Sequence, residues 1–351
     1  MTADSRISIQ RWTNLSIGVA IVVAVLFVLL AAGPAFLSEN ILDRLTVLFI
    51  YVCLAVMWNA LAGYGGMISA GQQAFFGLGG YLAIRLSEWG VEPYLALVLA
   101  ALLAGVFSLP ISAIVLRLRG GEFAIGMWVI AEVVRLLVNL DPIIQGDTGR
   151  SLIALASFDA AQRRDITYWM TLASMSIMLA VIFVMLRSRL GSSIQAIRDN
   201  EEAAASVGVR VSVTKRIIFV TAAIGCALAG GLWLATFTTF QPRSFFGIQW
   251  SAYMIFMVLV GGIGRFEGPI LGAVIFFLIE LWFGTAGVWY LIVLGLTALL
   301  FSLFLPGGIW GYVEYRFHVL LLPVGYRVRM RGLAASNGDS RQSVSAIRRM
   351  R

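Results

Sequence analysis

Charge is scarce in this chain. Only 13% of its 351 residues are Asp, Glu, Lys or Arg, against about a quarter in an ordinary soluble domain, while 60% are apolar. That leaves too little polar surface to close a globule in water, so the composition is that of an integral membrane protein. Lysine is rarer still. Lys215 is the only one, and the formal net charge of +8 rests on arginine. The arginines cluster between and after apolar runs rather than along one soluble face. This argues against nucleic acid as a partner and for loops held on the cytoplasmic side of a membrane. There are two cysteines, Cys53 and Cys226, both inside apolar runs. They imply no disulfide framework or metal set and are expected to be buried and inert. His318 is the single histidine, so metal or acid–base roles would lack a second imidazole. No nucleophile is paired with a base, and no Cys/His set has ligand spacing, so neither a catalytic constellation nor a cofactor is expected.

What the chain has in abundance is long apolar runs. Windows of about 20 residues give about ten spans, near 15–37, 45–63, 68–86, 94–116, 121–140, 167–186, 216–238, 250–264, 268–284 and 288–305. The expected fold is an all-α polytopic bundle. The first run follows Arg6 and Arg11 like a signal peptide, yet it exceeds the roughly 7–15 residues of an h-region and reads as a retained anchor. With the amino terminus inside, the heaviest arginine clusters fall on the cytoplasmic side: 6–11, 117–119, 187–216 and the tail. Both termini are then cytoplasmic. Residues 1–14 form a leading segment, 15–305 the membrane domain, and 306–351 an Arg-rich tail suited to lipid contact. Arg150, Arg163 and Arg164 fall outside, in a long loop at 141–165 that also carries Asp141, Asp147, Asp159 and Asp165. Trp12, Trp89, Trp169, Trp250, Trp289 and Trp310 stand at span ends, as an interfacial belt requires.

Three dipeptides recur at one spacing: Gly65-Gly66 with Gly261-Gly262, Tyr94-Leu95 with Tyr290-Leu291, and Leu109-Pro110 with Leu305-Pro306, each 196 residues on, as from 65 to 261. Chance among common residues competes with a parallel internal repeat, a plan that transport folds often use. The stretch from Gly63 to Tyr81 is rich in glycine and adds Ser69, Gln72 and Gln73 to a run that should be apolar. Helix-poor backbone at membrane depth survives only against other protein or a watery cavity, so these three residues are candidates for a substrate path. Close helix packing through small residues explains the glycines equally well. The second glycine segment, Gly261 to Pro269, lacks the Gly-Lys-Ser/Thr of a P-loop and carries Glu267 where a dinucleotide fingerprint needs glycine. It reads as a tight turn with a helix starting at Pro269. Within the spans, Glu132 and Arg135 are three apart on one helix face. They can pair with each other or contact a zwitterionic substrate. Glu280 shows no local partner.

The longest charged stretch between apolar runs, 187–216, predicts a short helix between Gly191 and Val207. Asn200 caps it, Glu201 and Glu202 occupy its first turn, Ala203, Ala204 and Ala205 favour helix, and Gly208 stops it. A small-residue helix of this kind offers a smooth surface to a partner groove. An amphipathic connector is the plainer reading.

The spacing Glu-Ala-Ala-x-x-x-Gly at 202–208 resembles the cytoplasmic-loop signature of ABC importer permeases. With Ile197-Arg198-Asp199-Asn200-Glu201, Gly261-Gly262-Ile263-Gly264, Glu267-Gly268-Pro269-Ile270-Leu271-Gly272-Ala273 and the Gly63–Tyr81 segment, the chain is similar to the longer permease subunit of high-affinity branched-chain amino-acid transporters, from about Leu45 to Tyr312. The resemblance implies a type II-like importer permease in a bacterial inner membrane, non-catalytic itself. Its implied partners are a second homologous permease subunit, two ABC ATPase subunits and a periplasmic substrate-binding protein. It makes Glu202, Ala203, Ala204 and Gly208 ATPase-coupling positions. General importers continue with Ile-x-Leu-Pro; here Ile218 is followed by Phe219-Val220-Thr221, a departure at the dock. Related permeases carry urea or short-chain amides, so the cargo stays open between these and branched-chain amino acids. An ion-coupled secondary transporter would need paired intramembrane carboxylates, for which Glu132 and Glu280 are thin support.

Overall fold

The computed structural model describes residues 6–10, 14–144, 146–284, 287–305, 307–317 and 327–331. Arg11, Trp12, Pro306, His318 and residues 332–351 lie outside them. By contacts the chain divides into residues 25–319 and a unit of the two termini, 1–24 with 320–351. In the terminal unit, β1 (Arg6–Gln10) pairs antiparallel with β4 (Arg327–Arg331), Arg6 opposite Arg331.

Most of the described residues lie in helices. In chain order they are α1 (Asn14–Ala31), α2 (Glu39–Asn59), α3 (Gln73–Glu88), α4 (Pro93–Val115), α5 (Gly121–Asn139), α6 (Ala160–Arg187), α7 (Arg189–Asp199), α8 (Glu201–Ser206), α9 (Val211–Phe237), α10 (Pro242–Phe245), α11 (Gln249–Gly261), α12 (Gly268–Phe283), α13 (Val288–Phe304) and α14 (Gly308–Phe317). A two-residue ladder joins β2 (Arg150–Ser151) to β3 (Thr239–Phe240).

Among the described residues, six helical stretches are long and apolar enough to cross a membrane: Glu39–Tyr64, Pro93–Val115, Ala160–Arg187, Val211–Phe237, Pro242–Gly261 and Trp289–Phe317. Ser16–Ala31 and Gly268–Phe283 are apolar but shorter. About ten spans, some short or interrupted, are expected, and the six long stretches do not confirm that number, for reasons local to the chain. The run expected at 68–86 is helical only from Gln73, and its 16 residues reach about 24 Å. α5 is long enough but carries Glu122, Glu132 and Arg135. α6 begins at Ala160, seven residues before the expected 167, which shortens the outer loop. In its first turns Arg164 pairs with Glu39 at 2.7 Å, and in the loop before it Arg150 pairs with Glu88 at 2.7 Å.

The bundle centres on α2 and α9. α9 packs against α3, α4 and α2, α2 packs against α6 and α12, and α11 lies against α12. Small residues let the backbones close in. A side chain at Gly79 of α3 would run into the Ala227 carbonyl of α9, and one at Gly230 of α9 into the Phe76 carbonyl of α3. The packing reading of the α3 glycines therefore holds, as small-xxx-small interfaces allow. Cys53 and Cys226 are both buried in this centre. At the rim, Leu30 and Ala31 of α1 pack on Leu42, Phe49, Tyr168 and Leu172, and Tyr168 donates to the Leu30 carbonyl at 2.7 Å. The outer faces of α4 and α13 stay apolar and uncovered, with Leu102, Val106, Leu296 and Leu303 exposed.

The spaced dipeptides fall on partly matching elements. Tyr94 and Tyr290 each stand in the first turns of their helices, α4 and α13. Pro110, however, lies inside α4, whereas Leu305 ends α13.

Candidate functional site

Two places gather the polar residues singled out in the sequence. The first is the connection between α6 and α9. The short helix expected within Gly191–Val207 is α8, and a second helix, α7, precedes it, the two parted at Asn200, which is extended (φ −159°, ψ 110°). Asn200 caps α8 as expected, its Oδ1 accepting the Ala203 amide at 3.0 Å. Gly208 takes φ +90°, open to glycine but strained for other residues. Glu202, Ala203 and Gly208 are exposed, and Val207 is 79% exposed. Ala204 is buried instead, so it anchors α8 and is not part of the presented face. Lys215 of α9 donates to Glu201 at 2.6 Å, and Arg119, which follows α4, lies 3.8 Å from Glu202. Ile218 and Phe219 are fully buried within α9. A proline three residues after Ile218 would break this helix, which accounts physically for the departure noted there.

Arg198, at the end of α7, reaches the bundle itself. Its Nη1 donates to the Gly63 carbonyl at 3.1 Å. Gly63 lies in a π-helical turn, Ala60–Tyr64, that ends α2. Just before it, the buried Asn59 side chain accepts the Gly264 amide at 2.8 Å and donates to the Arg265 carbonyl at 2.9 Å. Arg265 in turn pairs with Glu314 of α14. Thus the helix pair α7–α8 touches the first glycine segment, and Asn59 ties that segment to the second. Nothing in the local sequence around Asn59 marked it. It is a lone polar residue at the end of an apolar run. The second segment is the expected tight turn, with Gly262 and Gly264 at positive φ and Pro269 in the first turn of α12.

The second place is a cavity of about 460 Å³ lined by Gln73, Trp128, Ala131, Glu132, Arg135, Arg243, Phe246, Gly247 and Ile248. Its geometry follows from helix periodicity. Phe123, Met127 and Ala131 form the buried stripe of α5, and Trp128, Glu132 and Arg135 are the adjoining stripe at i, i+4 and i+7. Arg135 donates to both oxygens of Glu132, its Nε at 3.0 Å. The i,i+3 pair is thus formed, with 49% of the Glu132 side chain still exposed. Opposite stand Gln73, the first residue of α3, and the break between α10 and α11 at 246–248. Gln73 is held rigidly, donating to the Ala70 carbonyl at 3.1 Å and accepting from Ser251.

Three of the five expected path residues therefore share one wall. Ser69 and Gln72 are not part of it. Both are fully buried. The Ser69 carbonyl accepts from Trp58 at 2.9 Å, while the Gln72 amide finds no hydrogen-bond partner among the described residues. Arg243, Trp128 and Ile248 were not recognised as wall residues from sequence, because α10 is four residues long and no periodic signal links it to α5. Glu280, without a local partner in sequence, accepts from Tyr51 of α2 at 2.8 Å.

At one end of α3, Asp141 accepts from Tyr81 at 2.7 Å and pairs with Arg85 at 2.7 Å. Burial pushes its carboxyl up, but the Tyr81 hydroxyl, the Ile143 amide and Arg85 together outweigh this and hold it below its usual range.

Comparison with known proteins supplies the family. Residues 40–303 match the model of the branched-chain amino acid transport system permease component. The chain belongs to that family. It is 28% identical over 277 residues to the high-affinity branched-chain amino acid transport system permease protein LivM of Escherichia coli K12, covering 71% of this chain. It is also 28% identical to LivM of Salmonella typhimurium LT2 over the same share. In both cases the match spans 65% of the relative's length. A probable LivM of Methanocaldococcus jannaschii is 25% identical over 246 residues, 65% of this chain and 70% of that protein. Among solved structures, an inward-facing ABC transporter assigned to the metal-chelate type overlaps at a TM-score of 0.44 and 13% identity, covering 76% of this chain and 88% of that one. The permease family and the apolar helices together make this a membrane protein.

Proposed function

We propose that the chain is a membrane-spanning permease subunit of an ATP-driven importer of branched-chain or other small amino acids. It sits in a bacterial inner membrane with both termini cytoplasmic. In this reading it pairs with a second homologous permease subunit, two ABC ATPase subunits bind the 187–216 connection, and a periplasmic binding protein delivers the cargo. The observation that carries the reading is the α7–α8 pair in a family permease. It presents Glu202, Ala203 and Val207 outward while Arg198 holds the Gly63 carbonyl inside the bundle. A push on α8 is passed to the end of α2 and, through Asn59, to the turn before α12.

ATP supplies the energy by binding more tightly to one arrangement of the ATPases than to the other, which is the only way a ligand shifts such an equilibrium. The segment from Gly261 to α13 is read as the counterpart of that from Gly65 to α4 in a parallel repeat. Gly208→Leu is the test. With its φ at +90°, a bulky side chain there distorts the end of α8. Uptake then falls while ATP hydrolysis and membrane insertion persist. Wild-type uptake by this variant rejects the lever.

A further inference from the structure

We propose that the cavity between α5, α10 and the start of α3 is the subsite that grips the α-carboxylate and α-ammonium of an amino acid in transit. Arg243 takes the carboxylate, Glu132 the ammonium, and Trp128, Phe246 and Ile248 the side chain. The inference deepens the transport reading and rests on it.

Charge on an otherwise apolar helix is the first argument. Ionisable side chains among apolar helices face the bundle interior or water and mark substrate pathways, because lipid cannot solvate them. Glu132 and Arg135 lie in the second half of α5, and 49% of the Glu132 side chain stays exposed even while paired. The second argument is charge balance. Arg135 answers Glu132, whereas the exposed guanidinium of Arg243 makes no ion pair among the described residues. The exposed guanidinium of Arg243 is the group on this wall that meets an incoming carboxylate, the planar fork of arginine being suited to bidentate contact.

The third argument is the backbone. Two helix interruptions meet here, the start of α3 at Gln73 and the break at 246–248. Discontinuous helices of this kind form the binding sites of transport folds because they free polar backbone groups at depth. Gln73 is locked from two sides, as a preformed site requires. A volume of about 460 Å³ lies within the roughly 300–1,000 Å³ of small-molecule pockets. Apolar surface from Trp128, Phe246 and Ile248 stands beside the charges, so the wall suits an apolar side chain on a zwitterionic head. Urea offers neither charge.

The test uses membrane vesicles carrying the whole transporter, with Ile248→Cys as a reporter. The native thiols, Cys53 and Cys226, are buried and leave a low background. The rate of alkylation by a permeant maleimide is followed with and without leucine, in the absence of the binding protein. Leucine slows labelling about tenfold, the scale of a charge-assisted contact. Leucinamide, which lacks the carboxylate, and 4-methylpentanoate, which lacks the ammonium, leave the rate unchanged, as does urea. Adding Arg243→Gln abolishes protection by leucine, and Arg243→Lys keeps most of it. Val207→Cys on the α8 side shows no protection. Labelling that leucine does not slow, in vesicles that import leucine when given ATP and binding protein, overturns the subsite. So does equal protection by leucine and 4-methylpentanoate, or protection that survives Arg243→Gln. If the energised wild-type vesicles import no amino acid, it is the transport reading that fails.

Discussion

The two glycine segments look alike in sequence, and each mixes close-contact glycines with positive-φ ones, Gly66 in the first and Gly262 and Gly264 in the second, but in different proportion. In the first, helical glycines of α3 exist for contact, since Gly79 and Gly230 bring the backbones of α3 and α9 together where a side chain would strike a carbonyl. In the second, Gly262 and Gly264 exist for conformation, at φ 133° and 73°. The lesson is that glycine richness alone does not say whether a stretch is a path, an interface or a turn. Here the first stretch is mainly an interface, and Gln73 is its residue that borders the cavity beside Glu132 and Arg135.

The difference can be broken most forcefully at Gly79. Gly79→Leu drives a side chain into α9 and should cost at least the 1–3 kcal/mol typical of overpacking, or about that and more against a backbone. Little folded protein should reach the membrane, as read by size-exclusion of a fluorescent fusion. A well-folded variant would mean that α3 and α9 are not as close as described. Next comes the tie between the segments. Asn59→Leu strands the Gly264 amide and the Arg265 carbonyl, at about 1–3 kcal/mol for each buried orphan. It should lower the melting temperature and also weaken the coupling of uptake to ATP hydrolysis, which a merely structural loss at the rim of the bundle would not do.

A gentler effect is expected at Gly264→Ala, where positive φ costs about 1–2 kcal/mol without a packing clash as severe as that at Gly79. A melting curve that ranks the Gly264 change above the Gly79 change would reverse the comparison. The smallest effect lies at the far end of α3. Asp141 is held below its unfolded value of about 3.9, so its contribution is fully present above that pH and is lost as pH falls through the lower folded value. Wild-type stability in detergent should therefore drop on the acid side of about pH 4, and Asp141→Asn should be less stable at neutral pH with a flatter acid limb.

Much of this was legible in advance because it is local. Asn200, Glu201 and the alanines specify a capped helix by short-range hydrogen bonds and propensity, and α8 forms where they stand. Pro269 starts α12 for the same reason. The i,i+3 spacing of Glu132 and Arg135 guaranteed that they could meet. What the sequence left open depended on partners far along the chain. Ala204 resembles its exposed neighbours in sequence, yet only its side of α8 faces inward. Ser69, Gln72 and Gln73 are alike in polarity and all buried, yet of the three only Gln73 lines the cavity beside Glu132. The partner of Glu280 is Tyr51, 229 residues away.

Composition and hydropathy by themselves determined that the protein lives in a bilayer, because too few charged residues exist to cover a soluble surface. Short-range rules likewise determined the capped helix between α6 and α9. Only the tertiary structure decided that Asn59 clasps the second glycine turn and that Arg243, from a four-residue helix, shares a wall with Glu132 of α5. Such meetings are set by the packing of whole helices, to which no single stretch of sequence contributes more than one side.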